Sequence, residues 1–198
     1  MNSNIINTYF EIIKLKEVLR TGWPEVGITE SKVESVMDHI GGTIFLAMLI
    51  DSEKKLGLNM SKVYEMIAIN EIKKIETNSE QSIANNTEYS EDFVLSILNK
   101  ISNNDRLISE YDEIKAKNTE EAKFVIMVSK LESDIQAKKY ELDGEFTLEN
   151  AKKDIENYPE DIKANLTNIE KASDGWLTYD KKYYDQLFTE LSDEIKKR

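Results

Sequence analysis

The 198-residue chain has no cysteine and a single histidine, His39. The first absence excludes disulfides and thiolate metal sites. Without cysteine or a second histidine, the common nucleophile–base dyads are also missing. Positive charge is scarce, with 26 Lys and Arg against 38 Asp and Glu and a formal net charge of −12. Nucleic acid is therefore not an expected partner, since such binding needs a basic face to displace phosphate counterions. The same imbalance repels anionic membranes and polymers. No apolar run is long enough to cross a bilayer: the most apolar, Ile40 to Ile50, falls well short. The opening segment, MNSNIINTYFEIIKLKEVLR, is an amphipathic pattern and not a charged stretch followed by a secretory apolar core. The expectation is a cytoplasmic protein with no membrane partner. A Gly-rich phosphate loop is absent too, because Gly41-Gly42 sits inside an apolar stretch.

Helical periodicity is what the chain has in abundance. Ile5, Ile6, Tyr9, Ile12, Ile13 and Lys16 recur at three and four, the spacing of one helix face. Pro24 and Gly27 then break the chain into a loop around Trp23. Val36, Ile40, Ile44, Ala47, Met48 and Ile50 predict a helix that is apolar nearly all round, placed at the domain centre, with Gly57 as its cap. Gly41 and Gly42 weaken that helix by roughly 1 kcal/mol each relative to Ala, a cost tolerable where another backbone comes close. Asn59 or Ser61 caps a third helix through Ile75.

Thr77 to Ser90 is polar and reads as a loop. Helices follow near Glu91–Asn99 and Asp105–Lys117. A longer one starts at Thr119 and carries Phe124, Val125, Met127, Val128, Leu131 and Ile135 as a buried stripe. Beyond Gly144 come a helix near Leu148–Glu156 and one from Pro159 through Ala172. Gly175-Trp176 then makes a break, and a terminal amphipathic helix carries Tyr183, Tyr184, Leu187, Phe188, Leu191 and Ile195. No strand alternation and no internal repeat is present. The reading is all-α, one domain over residues 1–198.

Four segments carry a resemblance in their order: Arg20-Thr-Gly-Trp23, then Glu34-Ser-Val-Met-Asp-His39, then an apolar helix, then EEAKFVIMVSKLESDIQAKKYEL from Glu120. Together they resemble the HD-domain phosphohydrolase superfamily, specifically its 5′-deoxynucleotidase branch, most clearly over residues 9–142, with 143–198 as added C-terminal helices. The resemblance implies an HD-type helical bundle and a homodimer. It also implies a divalent transition metal (Mn, Co, Fe or Zn) held by a His, a His-Asp pair and a distant Asp, with bound water as the nucleophile.

Residue by residue, His39 falls on the first ligand, Asn70 and Glu71 on the His-Asp pair, and Ser129 on the distant Asp. The acidic residue expected beside the attacking water falls on Lys74. Asn70 offers a neutral amide oxygen, Glu71 a carboxylate one methylene further out, and Ser129 a hydroxyl that keeps its proton. Lys74 opposes a bound cation, by about 4 kcal/mol at about 4 Å and an effective dielectric near 20. The family metal cofactor is thus not expected, and Asn70, Glu71 and Lys74 stand at catalytic positions without the catalytic side chains.

In resembling enzymes the Arg and Trp of the upstream loop hold the nucleotide's phosphate and sugar. Arg20 can clamp a phosphate and Trp23 can wall off a sugar or stack on a base. With His39 and Lys74 they form the candidate ligand pocket. The leading reading is a degenerate, non-hydrolysing HD protein that binds a small anionic, nucleotide-like ligand or a protein partner. The alternative is an active metal-dependent nucleoside 5′-monophosphate phosphohydrolase with an altered ligand set around His39. A third is a scaffold that uses Tyr183, Tyr184 and Phe188 as a contact face.

Each residue also has a plainer role. His39 can be a hydrogen-bonded core residue, Trp23 a hydrophobic plug, and Arg20 a cap on the first helix. Lys73 and Lys74 fit a solvated helix face, and Glu34, Asp38 and Glu132 fit helix-surface carboxylates. An all-carboxylate magnesium site on Asp38, Glu71 and Glu76 has faint support.

Overall fold

The computed structural model describes residues 2–77, 91–101, 103–156, 160–163 and 169–198. Within them every regular element is helical, apart from one isolated antiparallel bridge between Leu19 and Ser35. The expected all-α architecture is what the chain adopts. None of the described helices is long and apolar enough to cross a membrane. Contacts divide the chain into two compact units, Met1–Leu19 with Glu34–Val125 and Arg20–Val33 with Ile126–Arg198.

The first unit holds α1 (Asn2–Ile12), α2 (Val36–Lys54), α3 (Met60–Asn70), α4 (Glu91–Leu98), α5 (Asp105–Ala116) and the start of α6 (Glu120–Leu142). Its core gathers Leu15, Val36, Val63, Met66, Val94 and Leu98, all fully buried, each worth about 1.5–3 kcal/mol against exposure.

Helix α2 starts on a reciprocal cap: Ser35 Oγ accepts from the Asp38 amide at 3.1 Å, and Asp38 Oδ2 accepts from the Ser35 amide at 2.9 Å. The bridge to Leu19, with the Val36 amide donating to Val18 O at 2.8 Å, fixes where that cap sits. Asn59 is the cap of α3, its side chain accepting from the Lys62 amide at 3.3 Å.

The second unit holds the rest of α6 together with α7 (Leu148–Ile155), α8 (Asp174–Asp180) and α9 (Gln186–Lys196). The Arg20–Val33 segment belongs to it and makes two short helical turns, Gly22–Glu25 around Trp23 and Glu30–Lys32. Gly27 closes this turn at φ +88°, against the Asn150 side chain, where a Cβ would be both strained and crowded. Thr147 and Asp185 cap α7 and α9, each accepting from the amide three residues on.

Several expectations are corrected. Helix α2 is not apolar-buried all round: Val36, His39, Ile40, Thr43, Ala47 and Ile50 face inward, while Phe45 is 65 % exposed, Leu49 61 % and Met48 46 %. The stripe of α1 also points out, with Ile5, Ile6 and Tyr9 exposed and Thr8 buried. Periodicity names apolar positions but not how many of them are covered: on α2, Val36, Ile40, Ala47 and Ile50 of the predicted set are buried and Met48 is not. Helix α2 ends at Lys55 in the left-handed region (φ 51°), two residues before Gly57. Gly175-Trp176 lies inside α8 and does not break a helix.

On α6, Ile135 is exposed, and Asp134 and Lys138 take buried places in the stripe. Of the proposed aromatic contact face, Phe188 is fully buried, while Tyr183 and Tyr184 precede α9 and are half-buried, the Tyr184 hydroxyl donating to Asp134. The loop read over Thr77 to Ser90 lies, past Thr77, outside the described residues. So does most of the helix read from Pro159, of which the single turn Glu160–Lys163 is described.

Candidate functional site

In the first unit, α2 carries His39 into the interior at 3 % exposure, one turn past the Ser35 cap. A carboxylate oxygen of Glu34 and a ring nitrogen of His39 lie within 4.8 Å of one another. Glu34 precedes the cap and His39 follows it, so the start of α2 is what brings the two side chains together. Asn70 is the last residue of α3 and Glu71 its C-cap. Their side chains close on each other, with Asn70 Nδ2 donating to Glu71 Oε1 at 2.7 Å. Glu71 is buried. Lys74 follows in a separate turn, Lys74–Thr77, its amide donating to Glu71 O at 3.0 Å.

In the second unit, Arg20 reaches α6. Its Nη2 donates to Ser133 Oγ at 2.9 Å, and its Nη1 stands 3.7 Å from Glu132 Oε2. Ser133 Oγ in turn donates to Ser129 O at 3.1 Å, one helical turn back. The guanidinium carbon lies 5.5 Å from the Trp23 ring centre. Burial pushes the Glu132 carboxyl up to about 7, against the pull of Arg20.

Trp23 itself is 1 % exposed. Its indole stacks on Trp176 (4.4 Å, 20°) and meets the edge of Tyr140 (5.1 Å, 72°), whose hydroxyl donates to Lys32 O at 3.1 Å. The Arg20–Val33 segment is therefore anchored at both ends: Trp23 near its start, Lys32 near its end.

A buried acidic group in this unit escaped sequence reasoning. Tyr184 donates to Asp134 Oδ2 at 2.8 Å, and Lys130 Nζ lies 3.3 Å from Asp180 Oδ1. Burial, reinforced by the nearby Asp180, pushes Asp134 up to about 8, and burial raises Asp180 as well. The Tyr184 hydroxyl is raised too, by burial and then by Asp134. One signal was available: Asp134 sits three residues after Leu131 and six after Val128, in line with the buried stripe.

Within each unit, residues named from sequence come together. Glu34 is with His39, and Asn70 with Glu71. Arg20 is with Trp23, Glu132 and Ser133, through which it connects to the backbone of Ser129. Ser133 was not singled out; a small polar residue four after Ser129 on a helix is the pattern that would have shown it.

Comparison with known proteins agrees with this architecture. A conserved hypothetical protein from Pyrococcus furiosus superposes with a TM-score of 0.63 at 20 % identity, over 98 % of this chain and 99 % of that one. The PH0347 protein from Pyrococcus horikoshii superposes with a TM-score of 0.61 at 21 % identity, over 95 % and 98 %. At such identity the likeness is one of fold. No functionally curated protein matches by sequence. The HD domain family model matches residues 12–170, a span that reaches into both units and includes Arg20, Trp23, His39, Asn70, Glu71, Lys74 and Ser129. The chain belongs to the HD domain family.

Proposed function

We propose that this HD-domain chain binds a small phosphorylated ligand at Arg20 and does not hydrolyse it through a family-type metal centre. The observation that carries this reading is the 2.7 Å hydrogen bond from Asn70 to Glu71. The two side chains at the positions of the His-Asp pair are committed to each other, an amide proton held by the carboxylate oxygen that a metal would need. The donor set His39, Asn70, Glu71 and Ser129 fits a divalent transition ion poorly. It supplies one imidazole, one neutral amide, one carboxylate and one hydroxyl where the family supplies two imidazoles and two carboxylates.

Arg20 supports the binding half. A carboxyl that titrates at about 7 neutralises its guanidinium only in part at neutral pH, so an incoming dianion meets residual positive charge. Ser133 holds the guanidinium in a fixed plane while it does so. Trp23 takes the plug role in this reading, since its ring is buried, stacked on Trp176 and packed against Tyr140 and Arg20. Lys74 and His39 remain candidate contributors of charge and hydrogen bonding.

Calorimetry with a deoxynucleoside monophosphate, with and without manganese or cobalt, tests the proposal. Binding that needs no metal, is lost in Arg20→Ala and releases no phosphate is expected. Metal-dependent phosphate release would overturn it.

A second reading keeps catalysis with an altered metal set. It rests on the Glu34–His39 pair, whose ligand atoms lie within 4.8 Å of one another, close enough for one ion to meet both with bonds of about 2.0–2.2 Å. Stoichiometric metal in the purified chain, lost in His39→Ala, would favour this reading.

A further inference from the structure

Around Arg20 the second unit gathers more positive charge than its acids can neutralise. Lys130 and Ser133 lie three residues apart on α6, so the lysine shares a helix face with the hydroxyl that anchors Arg20. Lys130 Nζ stands 3.3 Å from Asp180 Oδ1, and Asp180 is the last residue of α8. The turn Lys181–Tyr183 follows at once and brings Lys182 to the same place. Lys130 Nζ is 5.0 Å from the centre of the Tyr183 ring and Lys182 Nζ 5.1 Å, so two ammonium groups share one ring. Lys182 Nζ also sits 3.5 Å from the centre of the Tyr179 ring.

An aromatic ring holds a cation in place without cancelling its charge. The neighbouring Lys181 is paired with Asp193, but among the described residues no carboxylate lies within ion-pair distance of Lys182, which is exposed. The acids of this region give up charge instead. Burial raises the carboxyls of Glu132, Asp134 and Asp180, and at Asp180 the pull of Lys130, Lys182 and Arg20 offsets only part of that rise. All three cations therefore act on one buried acid, which places Lys182 and Arg20 in the same neighbourhood. In a chain of net charge −12, a group of cations whose nearby acids are suppressed is a local positive field, suited to an anion from outside.

We propose that Lys182, with Lys130 beside it, forms a second anion position next to Arg20, and that the ligand is a phosphate ester carrying a second phosphate. The inference rests on the reading that Arg20 holds the first phosphate. Ser133 fixes the plane of the Arg20 guanidinium for one phosphate. Lys182 meets the next as a point charge on a flexible stem, steadied by the two tyrosine rings. Lys130 keeps donors to spare beyond its contact with Asp180, since an ammonium carries three. A monophosphate fills the first position alone.

Calorimetry of the full chain with a deoxynucleoside monophosphate and the matching diphosphate, without metal, tests this. The diphosphate is expected to bind at least about tenfold more tightly, the scale of one added charge-assisted hydrogen bond. Lys182→Met keeps the apolar stem over the rings and should reduce that preference to about twofold or less. Lys130→Met is paired with Asp180→Asn, so that no buried carboxylate is left without its partner, and should reduce the preference in the same way. Arg20→Ala should weaken both nucleotides. The phosphorus-31 resonance of the diphosphate's terminal phosphate gives an independent reading: it should shift on binding to the wild type and return towards its free position with Lys182→Met.

Monophosphate binding that depends on Arg20, without a preference for the diphosphate, overturns this inference and leaves the Arg20 reading standing. So does a preference that survives in both lysine variants. Failure of the wild type to bind either nucleotide overturns both.

Discussion

Arg20 donates to the Ser133 hydroxyl at 2.9 Å while the Glu132 carboxylate stands 3.7 Å from its other terminal nitrogen. A cation held between a neutral anchor and an acid that titrates at about 7 has a charge that depends on pH. Sulfate, whose own charge is constant over this range, should bind more tightly as pH falls through about 7, because protonation of Glu132 removes the competing anion. Glu132→Gln should flatten that dependence and tighten binding at pH 8. Arg20→Ala should lose about tenfold or more, equivalent to at least 1.4 kcal/mol. Calorimetric titrations at several pH values measure all three, and a wild-type profile flat from pH 6 to 8 would count against the competition.

Asp134 makes stability depend on pH with a definite sign. Its carboxyl ionises at 3.8 when solvated but holds its proton to about 8 in the fold. The unfolded chain therefore loses this proton first. Stability should decline as pH rises from about 4 towards about 8 and level off above, with Glu132 contributing in the same direction. Asp134→Asn keeps an acceptor for Tyr184 and should remove much of the decline, a gain on the order of 1–3 kcal/mol at pH 8. Thermal melts across that range decide it, and a variant that melts in parallel with the wild type would refute the assignment.

Trp23 is fully buried against Trp176 and Tyr140, so truncation should act on folding. Trp23→Ala should cost about 3–5 kcal/mol, typical of a large buried aromatic. Urea unfolding gives the number. A cost below 1 kcal/mol together with lost nucleotide affinity would restore Trp23 to the ligand.

His39→Ala and Glu34→Gln separate the two functional readings. If His39 is a core residue, its loss should cost about 1–3 kcal/mol through the polar groups it leaves unpaired, with metal content after purification unchanged. Elemental analysis alongside unfolding curves checks both. Metal that disappears in both variants would support the altered centre.

Much of the fold could be read from the sequence because its helix starts are written in local chemistry. Asn59 three residues before Lys62, and Thr119 before the acidic pair, mark boundaries that the structure reproduces. The family segments likewise located His39, Arg20 and the middle of α6. What was not legible is direction. Ile5, Tyr9, Phe45 and Leu49 have the composition of core residues, and nothing within eleven residues of chain says which side the remaining helices will cover. The buried Asp134 was hidden for the complementary reason: a carboxylate in an apolar stripe is read as solvated until Tyr184, fifty residues away, arrives beside it.

Asp38 lies next to the histidine, yet its oxygen is engaged by the Ser35 amide and hydroxyl. Any alanine scan read by phenotype alone would rank this acid with reacting groups, since freeing the first turn lets the adjacent imidazole wander. The scaffold thus gives an apparently chemical residue a plainly structural duty, marking where a helix begins.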